Sequence, residues 1–204
     1  MADERDRPLQ REDLDPDPVV QLRQWLDEAR AAGVELPEAM TLATATQDGA
    51  PSARMVLLKD VEDDGLSFFT NYDSRKGLEL AENPRAALVL YWHPFGRQVR
   101  VEGSAARLPE ADSDEYFRTR PVGSRLSAAV SPQSAVVAGR EELELAAELL
   151  GREAGEDVPR PESWGGYRLT PAVWEFWQHR VDRLHDRFRY RPGEEGWIVE
   201  RLAP

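Results

Sequence analysis

MTLATATQDGAPSARMVLLKDVEDDGLSFFT, residues 40–70, holds successive β-type runs closed by tight turns. The runs are Met40–Thr46, Ala53–Lys59 and Leu66–Thr70, and Asp48-Gly49 and Asp63-Asp64-Gly65 are the turn signals between them. Further runs follow at Ala86–Trp92 and Gln98–Leu108, separated by Pro94-Phe95-Gly96. β runs in such quick succession suit a barrel or sandwich rather than a parallel sheet. Upstream, Asp17-Pro18 reads as an N-cap with proline at the first helical position. Val19, Leu22, Trp25, Leu26 and Ala29 then recur at helical spacing, and Gly33 supplies a stop. Helical stretches are also expected over Ser74–Glu82, Asp112–Thr119, Ser124–Ala129 and Arg140–Leu150. The last third returns to β signals at Tyr167–Leu169, Val173–Trp177, Arg187–Tyr190 and Trp197–Leu202. The expected fold is mainly β with peripheral helices (α+β). A flexible arm over residues 1–15 precedes a single barrel-like domain over 16–204.

Composition narrows the function. A net charge of −12 disfavours nonspecific binding to a nucleic-acid backbone, which relies on basic surface and counterion release. No apolar run approaches the ~18 residues of a membrane span, and the first residues lack a signal-peptide core. The expected setting is therefore cytoplasmic, without membrane or nucleic-acid partners. Cysteine is absent, which removes disulfides and thiolate chemistry. The three histidines, His93, His179 and His185, are not spaced as a metal site, so no metal is expected. Lys59 and Lys76 are the only lysines among 26 basic residues. In a chain that otherwise chooses arginine, such positions can require a compact ammonium.

Cations embedded in apolar patterns are the main chemical signal. Arg54-Met55-Val56-Leu57-Leu58-Lys59 puts one cation on each face of an extended run, which also fits a strand whose ends reach solvent. Thr70-Asn71-Tyr72-Asp73-Ser74-Arg75-Lys76 ends a strand and opens a helix with two cations in its first turn. That arrangement opposes the helix dipole unless an anion joins it. Tyr116 and Arg120 share a helix face and Ser124 follows Pro121; a phenol, a guanidinium and a hydroxyl suit a phosphate monoester, or an ordinary surface pair. Arg183, His185 and Arg187 alternate, which on a single strand face would set like charges side by side.

Together these segments resemble the pyridoxamine 5′-phosphate oxidase family. The resemblance is carried by Arg54–Lys59, Thr70–Lys76, Arg97–Val101, Tyr116–Ser124, Ser131–Ser134, Trp164–Gly166, Glu175–Trp177, Arg183–Arg187 and Arg201–Pro204, in the family's order. It implies an FMN-binding split β-barrel, homodimeric, with both subunits contributing to each site. By that resemblance the FMN contacts are Arg54, Met55, Val56, Leu57, Leu58, Lys59, Phe69, Thr70, Arg75, Lys76, Gln98, Gln133, Ser134, Trp177 and Arg187. Lys59, Tyr116, Arg120 and Ser124 would meet the substrate phosphate, and Arg183, Leu184 and His185 its ring, with Arg183 and His185 catalytic. The implied reaction oxidises pyridoxamine 5′-phosphate or pyridoxine 5′-phosphate to pyridoxal 5′-phosphate and reduces O2 to hydrogen peroxide. Residues 1–15 contain Arg5, Arg7 and Arg11 but lack the tyrosine of the family's N-terminal segment, so no site residue is assigned there. The alternatives are the related flavin oxidases of phenazine biosynthesis and a split barrel that holds flavin or heme without turnover.

Overall fold

Asp17 caps the first helix, its carboxylate accepting from Val19 N at 2.8 Å, and α1 runs over Pro18–Ala31. In the computed structural model, which describes residues 6–204, that helix lies against a sheet of nine strands. The strands are β1 (Ala39–Ala45), β2 (Pro51–Leu57), β3 (Asp60–Glu62), β4 (Gly65–Asn71), β5 (Arg85–Trp92), β6 (Arg97–Arg107), β7 (Trp164–Gln178), β8 (Asp186–Gly193) and β9 (Gly196–Arg201). The other helices are α2 (Arg75–Glu82), α3 (Glu110–Thr119), α4 (Val122–Val130) and α5 (Arg140–Ala154).

Every strand pairing is antiparallel, in the order β2-β1-β5-β6-β7-β4-β3, with β8 and β9 branching from β7. The length of β7 creates the branch. Its first half pairs with β4 from Asn71↔Trp164 to Leu66↔Leu169, and its second half pairs with β8 from Trp174↔Tyr190 to Gln178↔Asp186. One sheet thus divides into two curled lobes. The connection from β2 to β3 runs along β4, where Lys59 N donates to Ser67 O at 2.8 Å.

The sequence suggests two strands where β7 is one, because Pro171 interrupts the apolar pattern. Proline is tolerated there because residues 170–173 fall between the β4 and β8 pairings, where that edge has no ladder bond to lose. On the opposite edge the register shifts between Glu102 and Gly103, and a Cβ on Gly103 would come within 2.1 Å of Thr170 O. Only glycine lets the two backbones approach so closely.

Alternation on β1 and β5 sends Met40, Leu42, Leu88 and Leu90 into the core. Trp25 of α1 meets Phe176 and Trp92 edge-on at ring distances of 5.2 and 6.4 Å. Residues 1–5 of the expected arm lie outside the described residues. The remainder is packed rather than free: Leu9 and Leu14 join the core, and Tyr190 donates to Asp15 O at 2.8 Å.

Candidate functional site

The turn between β4 and α2 is built by local hydrogen bonds. Asn71 Oδ1 accepts from Asp73 N at 2.7 Å, and the Ser74 hydroxyl donates to Asn71 O at 2.6 Å while accepting from Gly77 N at 3.4 Å. The cap aims Lys76 inward. Its ammonium donates to Thr70 Oγ1 at 3.0 Å, Ser74 Oγ at 2.9 Å and Gln133 Oε1 at 2.6 Å. Burial, reinforced by the charge of Arg54, pushes Lys76 down to about 8.

Next to it, Glu79 is buried and accepts from Thr44 and Ser52 at 2.5 Å each and from Arg75 Nε at 2.8 Å, with Arg54 at 3.4 Å. Burial alone would raise this carboxyl; the bonds from Ser52, Thr44 and Arg75 hold it at about 2. Sequence reasoning missed Glu79. The available signal was its i,i+4 spacing from Arg75.

These groups border a cavity of about 610 Å³ lined by Arg54, Met55, Val56, Leu57, Lys59, Phe69, Thr70, Lys76, Tyr116, Arg120, Ser124 and Gln133. Trp164 also lines it and forms an aromatic floor. Tyr116 stacks on Phe69 at 4.0 Å, and Phe69 stacks on Trp164 at 5.5 Å. The Arg120 guanidinium lies 4.6 Å over Trp164, with its Nη1 buried and unpartnered. Burial pushes its pKa down. A buried donor without an acceptor is costly, and an anion in this cavity would supply one. Lys59 Nζ lies 5.7 Å from the Tyr116 ring. Arg75 and Ser134 instead line an adjoining cavity of about 730 Å³, which shares Gln133 with the first. Leu58 turns away, its side chain buried in the core.

Gln98, Trp177, Arg183, Leu184, His185 and Arg187 line neither cavity. They form a second cluster. Gln98, Trp177 and Arg187 stand in one row across β6, β7 and β8, and His185 lies 4.5 Å from Trp177. The expected alternation of Arg183, His185 and Arg187 on one strand face does not occur, because β8 begins only at Asp186. Val181–Arg183 is a 3-10 turn, with Asp182 and Arg183 each at φ 63°. Nor is Arg187 unpaired: Glu175 accepts from its Nε at 2.8 Å and its Nη2 at 3.1 Å. His185 Nδ1 accepts from Arg180 N at 3.0 Å, which leaves Nε2 to carry the proton of the neutral ring. Burial, then the charges of His179, Arg183 and Arg187, lower its pKa.

Among the described residues, no cluster of His, Cys, Asp or Glu could hold a metal ion, and no helix is long and apolar enough to cross a membrane. Fold and geometry define a split barrel with a cationic, aromatic-floored cavity. The model of pyridoxamine 5′-phosphate oxidase matches residues 26–151, and that of the pyridoxine 5′-phosphate oxidase C-terminal dimerisation region matches residues 164–204. The chain belongs to the pyridoxamine 5′-phosphate oxidase family, an oxidoreductase family of flavoproteins. It is 52% identical over 200 residues to the pyridoxine/pyridoxamine 5′-phosphate oxidase of Salinibacter ruber, covering 96% of this chain and 93% of that one. The Cupriavidus taiwanensis enzyme of the same name is 53% identical over 198 residues, with the same coverage. Among solved structures, PhzG from Burkholderia lata 383, in complex with tetrahydrophenazine-1-carboxylic acid, superposes with a TM-score of 0.90. It is 37% identical and covers 98% of this chain and 100% of its own.

Proposed function

We propose that the protein is an FMN-dependent oxidase that makes pyridoxal 5′-phosphate. It takes pyridoxamine 5′-phosphate, water and O2 to pyridoxal 5′-phosphate, ammonia and hydrogen peroxide. It also takes pyridoxine 5′-phosphate and O2 to pyridoxal 5′-phosphate and hydrogen peroxide. The observation that carries this reading is the unpartnered Arg120 Nη1, buried in a cavity that also holds Lys59, Tyr116 and Ser124. Those four residues would hold the substrate phosphate. Arg75 and Lys76 would hold the FMN phosphate, with Arg54, Gln133 and Ser134 around it. FMN, when bound, supplies the two-electron acceptor that O2 reoxidises. The chain's task is then to bind, orient and exclude water.

The second cluster would complete the site from the other subunit of a homodimer. That role fits the match of residues 164–204 to a dimerisation region and the distribution of the predicted contacts over two separate surfaces. Arg183 would place the substrate's C4′, and His185 would donate from Nε2 to an oxygen on the ring. The setting proposed is cytoplasmic.

The phenazine-type oxidase is the neighbouring reading, favoured by the likeness to PhzG. The substrate-phosphate set and the higher identity to the two vitamin B6 enzymes argue for the first reading. Adding pyridoxine 5′-phosphate to the holoprotein in air tests it, and one peroxide per pyridoxal 5′-phosphate is expected. Turnover of tetrahydrophenazine carboxylates without any of pyridoxine 5′-phosphate would reverse the choice.

A further inference from the structure

The stretch Arg201-Leu202-Ala203-Pro204 carries part of the family resemblance and lines neither cavity. In the structure it closes around the second cluster. Leu202 N donates to Arg187 O at 2.9 Å, and Arg187 Nη1 donates back to Ala203 O at 2.9 Å. Glu175 holds the Nε and Nη2 of the same guanidinium. Arg187 is therefore fixed from two directions, by a carboxylate of β7 and by a carbonyl of the C-terminal stretch.

Arg201 acts one residue earlier in β8. Its Nη1 donates to Asp186 Oδ1 at 2.5 Å, its Nη2 donates to Leu9 O at 3.2 Å, and its guanidinium lies 4.4 Å over the Phe188 ring. The other Asp186 oxygen accepts from Leu9 N at 3.1 Å and faces Arg180 Nε at 3.8 Å. Asp186 directly follows His185, and Arg180 N is the donor to His185 Nδ1. Arg180 and Asp186 thus bracket the turn in which Asp182 and Arg183 adopt left-handed backbone at φ 63°. Two successive non-glycine residues in that region persist only where their surroundings over-determine them. Arg201 supplies part of that determination.

We propose that Arg201 and Ala203 are positioning residues of the second half-site. Arg201 fixes Asp186 and through it the turn carrying Arg183 and His185, and the Ala203 carbonyl fixes Arg187. The inference rests on the oxidase reading above, which puts those side chains at substrate and cofactor.

The test uses Arg201→Gln, Arg201→Lys and a chain ending at Arg201, each checked for wild-type oligomeric state and melting temperature. FMN affinity is read from flavin fluorescence on titrating apoprotein, and KM and kcat are read with pyridoxine 5′-phosphate. Losing a hydrogen bond to a charged group corresponds to about tenfold or more, so Arg201→Gln should raise KM by about tenfold with FMN affinity unchanged. Arg201→Lys, which keeps a cation for Asp186, should recover most of that loss. The chain ending at Arg201 should bind FMN about tenfold more weakly, since Arg187 loses its carbonyl partner. Variants with wild-type KM and FMN affinity overturn the proposal, as does an Arg201→Lys no better than Arg201→Gln. Losses that merely track a lower melting temperature overturn it too. A wild-type protein that neither binds FMN nor oxidises the substrate overturns both readings; an active wild type with unaffected variants overturns this one alone.

Discussion

Lys76 is a buried cation on the cavity wall, and the fold sets its proton affinity. Its ammonium is held by neutral oxygens of Thr70, Ser74 and Gln133, and burial lowers its pKa from 10.5 to about 8. Between those two pH values the unfolded chain binds more protons than the folded one, so apoprotein stability rises as pH rises through that window. A bound phosphate dianion reverses the preference by favouring the charged lysine. FMN affinity should accordingly fall as pH passes above about 8, while riboflavin, which lacks the phosphate, should show no matching change. Fluorescence titrations of both flavins at pH 7 and 9.5 check this; parallel curves would remove Lys76 from the phosphate. The rarity of lysine in the chain singled out this position, and the cations at the helix start suggested an anion there. Glu79 was not legible in the same way. One acid among 38 acidic residues gives no sign of burial until β1, β2 and α2 converge on it. Arg187 was misread for a related reason: its neutralising partner Glu175 is distant in sequence and adjacent only through the β7–β8 register.

The junction of α3 and α4 places Tyr116, Arg120 and Ser124 on one cavity. Tyr116 lies within α3, and Arg120 leaves the helix as its C-cap with extended backbone at ψ 144°. Pro121 then starts the next helix, and Ser124 N donates to its carbonyl at 2.9 Å. The break turns Arg120 over Trp164 instead of letting it follow the surface of α3. Arg120→Ala should weaken the phosphorylated substrate by about 1.5–3 kcal/mol, roughly ten- to a hundredfold in kcat/KM. The dephosphorylated analogue should lose far less, and equal losses for both would place Arg120 elsewhere. At this scale the sequence was most informative where periodicity and turn chemistry agreed, as in α1 with Asp17 and Pro18. It was least informative where tertiary pairing overrides local preference. Pro171 divides the apolar pattern of β7, but its bond-free edge spares the strand. The short β3 carries too few residues to show a period, and the turn at Asp182 and Arg183 depends on contacts from both ends of the chain.

The whole molecule is a curled, branched sheet whose two candidate surfaces share no lining residue. The first carries the cationic cavity, and the second carries Gln98, Trp177, Arg183, His185 and Arg187. A homodimer that sets one subunit's cavity against the other's second cluster accounts for both. Light scattering on active holoprotein should therefore read the mass of two chains, and a monomer with full activity would refute the shared site. The overall class was legible from residues 40–108 alone, because tight turns between short β runs leave few alternatives. A composite site was suggested only by the resemblance, since no single-chain pattern encodes which surfaces face a partner. Anaerobic stopped-flow mixing of the yellow holoprotein with pyridoxine 5′-phosphate reads the proposed oxidation in a single turnover. The flavin should bleach rapidly with one pyridoxal 5′-phosphate formed per FMN, and colour should return with peroxide release when O2 is admitted. A flavin that stays oxidised under excess substrate, or a protein that takes up no FMN, would contradict it.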